Sequence, residues 1–528
     1  MKRFNVLALL SVAFCFVTCA VLAQAPVGPP DDFTLPDPLG EYVSHVEPLT
    51  ESDAPDAVFP KRRPVVATTY FYWYDVDTNE HFLNGDGSDA LTDHPPTIDG
   101  MSYRNLDWHE GELRDMIDAG IDVALPVYWG TPLLREFSFS NVGLPPLIEA
   151  RERLLEEGES PPAIGMFYDT SSLRHNGGRY QVDLTTDAGK LFFYGTIRNF
   201  FSLIPPRHRA YRDGRPIVML YSPTFAADID ETLFPAVREM FERDFGTDLF
   251  LIKQPNWPGD ADSECPWGGA LAPRIFDTAA IGPGYDHSAV PGRTPLIKPR
   301  DDGRFYTFSW ERLLAMRPET RPTFVHLETW NEFHEGTEIC DTREYGRKYI
   351  EMTAEFSRMF HAGERIDLSG RQPARESMLC TPDASEGLAV MDKQDGDGPI
   401  ETIEIGGRQA WSTVPNDFSP HNRYMYFDVE DYTLYDVDRT IAVTVEYFDA
   451  GPDSFVIEYD SADLELAGVR QQFRSGERVS LTQSSEWRRA TFTLPHARFA
   501  NRSNGADFRL LAVGEDLIVT RVHVALAE

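Results

Sequence analysis

The 528-residue chain is short of basic residues, of cysteine and of long apolar runs. Against 84 Asp and Glu it carries 49 Lys and Arg, a formal net charge of −35. That balance excludes nucleic acid as an expected partner, because phosphate neutralisation needs a basic footprint. It favours solubility and says little about substrate. Of five cysteines, Cys15 and Cys19 fall in the first 25 residues, and Cys265, Cys340 and Cys380 are too scattered for a zinc knuckle. None has a neighbouring histidine in a recognisable nucleophile motif. One disulfide and one spare thiol are expected, and spacing does not choose the pair. Beyond the amino terminus no stretch approaches the roughly 20 apolar residues of a transmembrane helix, so no stable membrane anchor is expected. Internal repeats and coiled-coil heptads are absent.

What is present begins with Lys2 and Arg3, an apolar stretch from 6 to 22, and the small-residue pattern Ala23-Gln24-Ala25. This reads as a signal peptide over 1–25, cleaved near Ala25, which makes the protein secreted, extracellular or periplasmic. A membrane anchor is the alternative for the apolar stretch, but no basic stop-transfer cluster follows. A lipoprotein reading of Cys19 fails on Phe16-Val17-Thr18 before it. The remaining length suggests two or three domains, and 42% hydrophobic content suffices to bury their cores.

Residues 26–61, rich in Pro, Asp and Glu, read as an extended leader. From 62 to 365, short runs dense in Val, Ile, Leu and Tyr alternate with amphipathic stretches. The strands are expected at 65–72, 123–128, 164–168, 217–221, 249–252, 278–281 and 323–327, with a sixth near 268–271. Helices are expected at 110–119, 145–156, 188–203, 231–244, 304–316 and 342–361. This rhythm fits an α/β fold, a (β/α)8 TIM barrel. Residues 366–398 read as a linker. Seven or more short alternating runs in 399–528 predict an all-β sandwich.

Several strands end in aromatic and polar residues: Tyr72-Trp73-Tyr74-Asp75, Tyr128-Trp129, Tyr168-Asp169, Tyr221 and Thr329-Trp330-Asn331-Glu332. Such rims are where sugar rings stack at the carboxyl face of a barrel. A tyrosine at one strand end is ordinarily just half-buried; five rims together point to a site. The sharpest segment is Glu328-Thr329-Trp330-Asn331-Glu332-Phe333-His334-Glu335-Gly336-Thr337. If the chain turns into helix there, Glu332 and Glu335 share a face, with Cβ atoms about 5–6 Å apart. Glycosidic cleavage needs two such carboxyls, one protonated and one ionised, about 5–9.5 Å apart. Crowding raises the pKa of one of them. The alternative, a solvated acidic face, fits poorly with the interleaved Trp330 and Phe333. His334-Glu335 is half of a zinc-protease motif, but the second histidine is missing, so no metal is expected.

The segment Trp330 to Thr337 resembles the Asn-Glu-Trp-His-Glu-Gly-Thr signature of glycoside hydrolase family 99, the endo-α-mannosidases. Ile281-Gly282-Pro283-Gly284-Tyr285-Asp286 is similar to that family's loop before the catalytic strand. Residues 70–74 and 127–130 resemble its first strands. The resemblance implies a retaining hydrolase in which the substrate's own 2-hydroxyl attacks the anomeric carbon. Glu332 would then be the base on that hydroxyl and Glu335 the acid/base at the leaving oxygen. Glu328, Tyr285 and Trp129 would contact sugar, and the same rim supplies Tyr72, Tyr74, Trp330, Asn331, His334 and Tyr168 as further substrate-binding candidates. Phe333 replaces the family's usual Trp, and Cys340-Asp341 stand where it tends to keep Glu-Pro, which leaves glycan preference open.

The stretches 487–492, 499–502 and 505–510 resemble galactose-binding-like sandwiches fused to bacterial glycosidases; some bind glycan and some are only structural. Asp392, Asp395 and Asp397 form a candidate turn for structural calcium, beside the simpler reading of a solvated linker. The expected partner is a polysaccharide or oligosaccharide, without cofactor. The rival readings are a non-catalytic glycan-binding protein and a hydrolase with another nucleophile, such as Asp169. Oligomeric state is not legible.

Overall fold

The computed structural model describes residues 28–44, 48–133, 138–176, 180–293, 296–368, 375–393, 397–417 and 419–526. The expected signal peptide and its cleavage site lie outside the described residues. The chain divides into two compact units, the first ending at Asp367 and the second beginning at Leu368.

In the first unit, eight parallel strands follow chain order: β1 (Val65–Tyr70), β2 (Val123–Tyr128), β3 (Met166–Tyr168), β4 (Arg215–Leu220), β5 (Phe250–Lys253), β6 (Ser263–Glu264), β7 (Ala279–Ile281) and β8 (Phe324–Leu327). Each pairs in parallel with the next from β1 to β6, and β7 pairs with β8. β8 returns to pair with β1, through Phe324 opposite Val65. Between β6 and β7 the Thr278 N–H donates to the Glu264 carbonyl at 3.0 Å. Mixed α/β architecture follows from helices α1 (Leu106–Ala119), α2 (Leu144–Glu156), α3 (Asp187–Ser202), α4 (Leu233–Phe245), α5 (Arg304–Leu314) and α6 (Lys348–His361). Strands such as β1 and β2 are buried at every position, as helix-covered parallel strands must be.

Local chemistry sets the boundaries. Asn105 caps α1 by accepting the Asp107 N–H, and Gly120 ends it at φ 75°. Thr186 caps α3 through the Gly189 N–H. The sixth strand lies at Ser263–Glu264, not at 268–271, where the backbone instead turns to reach Glu328. Gly268 and Gly269 suit that turn and not a strand.

Two stretches read as loose are not. In the leader, Val58–Phe59 pair with Tyr211–Arg212, and Phe33, Leu35, Val43 and Leu49 pack on the core. Apolar residues spaced too irregularly for a helix or strand still find a surface to cover. In the expected linker, Ser377–Thr381, Ala384–Glu386 and Leu388–Met391 are strands of the second unit. Met378 and Cys380 alternate inward there, a period-two signal masked by the surrounding Gly and Asp.

The second unit is a β-sandwich, an antiparallel seven-stranded sheet against a five-stranded one. Phe492, Phe499 and Phe508, from the stretches read as glycan-binding-like, are core residues. Asp395 lies outside the described residues. Asp392 accepts the Ile400 N–H, and Asp397 accepts the Tyr426 hydroxyl at 3.0 Å. Cys265, Cys340 and Cys380 are all free and buried, so the expected disulfide is not formed. Cys265 and Cys340 pack as small apolar groups in the core of the first unit, and Cys380 in that of the second.

Candidate active site

β8 delivers the motif. Its alternation sends His326 and Glu328 to the inside of the strand ring, where the His326 ring stacks against Phe167 and its Nε2 lies 2.6 Å from Thr69 Oγ1. Glu328 is buried, its carboxylate accepting the Gly268 N–H at 3.0 and 3.1 Å and the Ala270 N–H at 3.3 Å. Burial raises its pKa to about 7 against these backbone donors. The Glu328–Thr329 peptide is cis.

The expected helix after the strand is a tight turn over residues 333–336, ended by Gly336 at φ 53°. Asn331 stitches it to the neighbouring strand end, accepting the Phe71 N–H at 2.8 Å and donating to the Phe71 carbonyl at 3.0 Å. On this turn the carboxyls of Glu332 and Glu335 are both buried, 2% and 6% exposed, which rules out a solvated acidic face. Glu332 Oε1 lies 2.8 Å from His334 Nδ1 and accepts the His334 N–H at 3.1 Å. Its other oxygen, Oε2, is buried with no hydrogen-bond partner among the described residues. Glu335 Oε1 meets Arg293 Nη1 at 3.0 Å. Burial first, then the charge of Glu332, raises the Glu335 pKa to about 7, with Arg293 and Tyr285 opposing.

Around the pair, Tyr285 is buried with its hydroxyl 3.0 Å from His287 Nδ1, and Asp286 donates its N–H to the Glu335 carbonyl at 2.9 Å. Asp169, half-buried at the end of β3, has a raised pKa from burial, with Glu332 adding to it. Tyr221 and Trp267 stand edge-to-face at 5.3 Å, and both touch Phe167. Trp129 is half-buried, its Nε1 without a hydrogen-bond partner among the described residues. The loop from 75 to 103 is fastened to the turn, Thr92 and Asp93 donating N–H groups to the Phe333 carbonyl. Among the described residues no group of three or more His, Cys, Asp or Glu is arranged to hold a metal ion.

Of the residues expected to touch substrate, Glu332, Glu335, Glu328, Tyr285 and His334 come together, and Trp129 follows β2, two strands from β8. Five do not line the site. Tyr72 is buried against Phe139 and donates its hydroxyl to the Ser140 carbonyl. Tyr168 packs on Phe193 of α3. Trp330 faces α1, its indole N–H donating to Glu112 Oε2 at 2.5 Å. Tyr74 lies under the turn, its hydroxyl donating to the Asn331 carbonyl at 3.1 Å, and Asn331 is the stitch described above. For Tyr168 the cause is strand alternation: it turns to the helix layer, and its neighbour Phe167 faces inward instead. Tyr221 was expected only as one of the strand-end aromatics, and Arg293 and Trp267 were not in the expected set; nothing local marks Arg293, which sits on a loop remote in sequence.

Residues 56–369 match the model of a family described as a domain of unknown function (DUF5010). No curated protein matches the chain. The chain is similar to the family 99 endo-α-mannosidase of Bacteroides thetaiotaomicron, at 15% identity and a TM-score of 0.40, over 57% of this chain and 98% of that one. A glycoside hydrolase-like protein is similar at 16% identity and 0.40, over 56% and 94%. So is the carbohydrate-binding module (CBM6) at the carboxyl terminus of a marine laminarinase from Zobellia galactanivorans, at 9% and 0.17, over 28% and 98%.

Proposed function

The chain belongs to the DUF5010 family, and on that premise we propose that it is a secreted glycoside hydrolase acting on an α-mannoside-type or related polysaccharide. We read its ring of parallel strands as a (β/α)8 barrel, with the reacting groups at the carboxyl ends of the strands. The observation that carries the reading is that two buried carboxyls, Glu332 and Glu335, stand together at one strand end, with different hydrogen-bond partners. Glu335 has its pKa raised to about 7 and so retains a proton into the neutral range, while Glu332 Oε2 has no hydrogen-bond partner among the described residues.

In the proposed reaction Glu335 gives its proton to the departing glycosidic oxygen. Glu332 Oε2 accepts the proton of the sugar 2-hydroxyl, whose oxygen attacks the anomeric carbon as the glycosidic bond breaks, leaving a 1,2-anhydro sugar. Water then opens that ring at the anomeric carbon, losing a proton to Glu335, and the 2-oxygen regains its proton from Glu332. Two inversions give net retention, and both carboxyls return to their starting states. His334 would orient Glu332, and Glu328, Tyr285 and Trp129 would bind sugar. No catalytic metal is required by this scheme. The sandwich is proposed as a carbohydrate-binding-like partner of the catalytic unit, and export with cleavage near Ala25 is proposed for the whole.

One observation favours the rival reading of a glycan-binding protein without turnover: Arg293 occupies Glu335 Oε1. Incubating the full chain with α-mannans and other neutral polysaccharides and assaying new reducing ends separates the two. Release of products that starts with the retained anomer supports the hydrolase; retention without new ends rejects it. The mass of the exported protein tests the cleavage site.

A further inference from the structure

The loop from 75 to 103 brings one more ring close to the glutamates. His81 stands in it at φ 63°, in the left-handed region, which a residue other than glycine keeps only where its surroundings over-determine it. They do so here. On one side Glu80 exchanges backbone hydrogen bonds with Asp75 at 3.1 and 3.2 Å. On the other, the Phe82 carbonyl accepts the Ala90 N–H at 3.0 Å and the Phe82 ring packs on Tyr74 at 5.4 Å. Between these anchors the His81 ring lies flat on Trp73, with centroids 4.2 Å apart and planes 5° apart. It meets the His334 ring edge-on at 6.0 Å, and His334 in turn touches Glu332. Phe139, 6.0 Å from His81 and 6.5 Å from Trp129, joins the two in one aromatic wall.

Packing alone asks for a flat ring, which Phe would supply. His81 adds two nitrogens, and neither has a hydrogen-bond partner among the described residues, although the side chain is half-buried. Burial first, then the charge of His334, pushes its pKa down to about 3. The imidazole is therefore neutral across the range in which Glu335 titrates, with one nitrogen donating and the other accepting. A sugar hydroxyl can answer either nitrogen, whereas a carboxylate or phosphate group answers only the donor. A metal ion finds no cluster of three ligating side chains among the described residues.

We infer that His81 is a further substrate-binding residue, whose imidazole hydrogen-bonds a hydroxyl of the neutral sugar unit held beside Glu332. The inference rests on the glycosidase reading above. The test uses the full chain carrying Glu335→Gln, titrated calorimetrically with neutral manno-, gluco-, galacto- and xylo-tetrasaccharides, alone and with His81→Phe added. That change keeps a ring against Trp73 and removes both nitrogens, and a thermal melt checks the fold. Affinity for whichever tetrasaccharide binds is expected to fall about ten-fold, the worth of one lost hydrogen bond. His81→Gln and His81→Met, matched in length and both without the ring, make the same comparison of polar with apolar side chain should the first variant not fold. The Gln variant, which keeps a donor and an acceptor, is then expected to bind several-fold tighter than the Met variant. Affinity untouched by His81→Phe, or equal in the Gln and Met variants, overturns the role of His81 and leaves the glycosidase reading standing. Binding of no tetrasaccharide by the Glu335→Gln protein sinks both.

Discussion

Glu332 and His334, two residues apart in sequence, meet at one oxygen: Glu332 Oε1 lies 2.8 Å from His334 Nδ1 and accepts the His334 N–H at 3.1 Å, while Oε2 is buried with no partner among the described residues. A carboxylate fixed at one oxygen and open at the other is oriented to receive a proton from one direction only. His334 is itself held by stacking on Tyr74 at 5.8 Å and by the edge of Trp73 at 5.6 Å.

Replacing His334 with Phe keeps the ring packing and removes the Nδ1 contact. A hydrogen bond to a charged group is worth about 1.5–3 kcal/mol, so kcat is expected to fall roughly 10- to 100-fold. The fall should appear in kcat more than in KM. A change confined to KM would show that His334 contacts sugar and does not orient Glu332.

Glu335→Gln is expected to lower turnover by on the order of 10²–10⁴, the range for a lost acid/base group, with oligosaccharide affinity retained. In the unmodified protein kcat/KM should decline as pH rises through about 7, because the acid form of Glu335 is lost there. Steady-state kinetics on a soluble substrate read both effects; undiminished turnover in the variant removes Glu335 from the mechanism.

Arg293 stabilises the ionised form of Glu335. Arg293→Met therefore raises the Glu335 pKa and moves the alkaline limb of the pH–rate profile upward from about 7. An unmoved limb would mean that another group controls it.

Trp330 acts through Glu112, which accepts the Trp330 indole N–H and, on its other oxygen, that of Trp108 at 3.0 Å. Trp330→Phe should cost about 1–3 kcal/mol of stability by leaving a buried carboxyl oxygen unsatisfied, with KM unchanged. Burial raises the Glu112 pKa from 4.5 to about 7. Its contribution to stability is thus full below about 4.5 and is lost as pH rises through about 7. Glu112→Gln, measured by thermal melts from pH 4.5 to 8, should lower stability most at the acid end. A penalty that grows with pH would contradict this assignment.

Much of the first unit is legible in the chain because its strands are continuous apolar runs and its helices are amphipathic, as at 123–128 and 304–314. β6 escaped because a two-residue strand, Ser263–Glu264, carries no periodic signal, and its place in the ring is set by its hydrogen bonds to β5 and to Thr278. The strands inside the expected linker escaped for a related reason, since Met378 and Cys380 alternate in too short a run to stand out from their polar neighbours.

The sequence by itself determined that two glutamates stand three apart after the last apolar strand, among aromatics, because local order and residue type are enough for that. Only the tertiary structure decided which aromatics face them. A strand gives every second side chain to the helix layer, and which set faces in, which local composition does not encode, turned Tyr168 outward and Phe167 inward. It also decided the electrostatics: Arg293 reaches Glu335 from a loop 42 residues earlier, and burial, a property of the assembled core, raises one carboxyl to about 7.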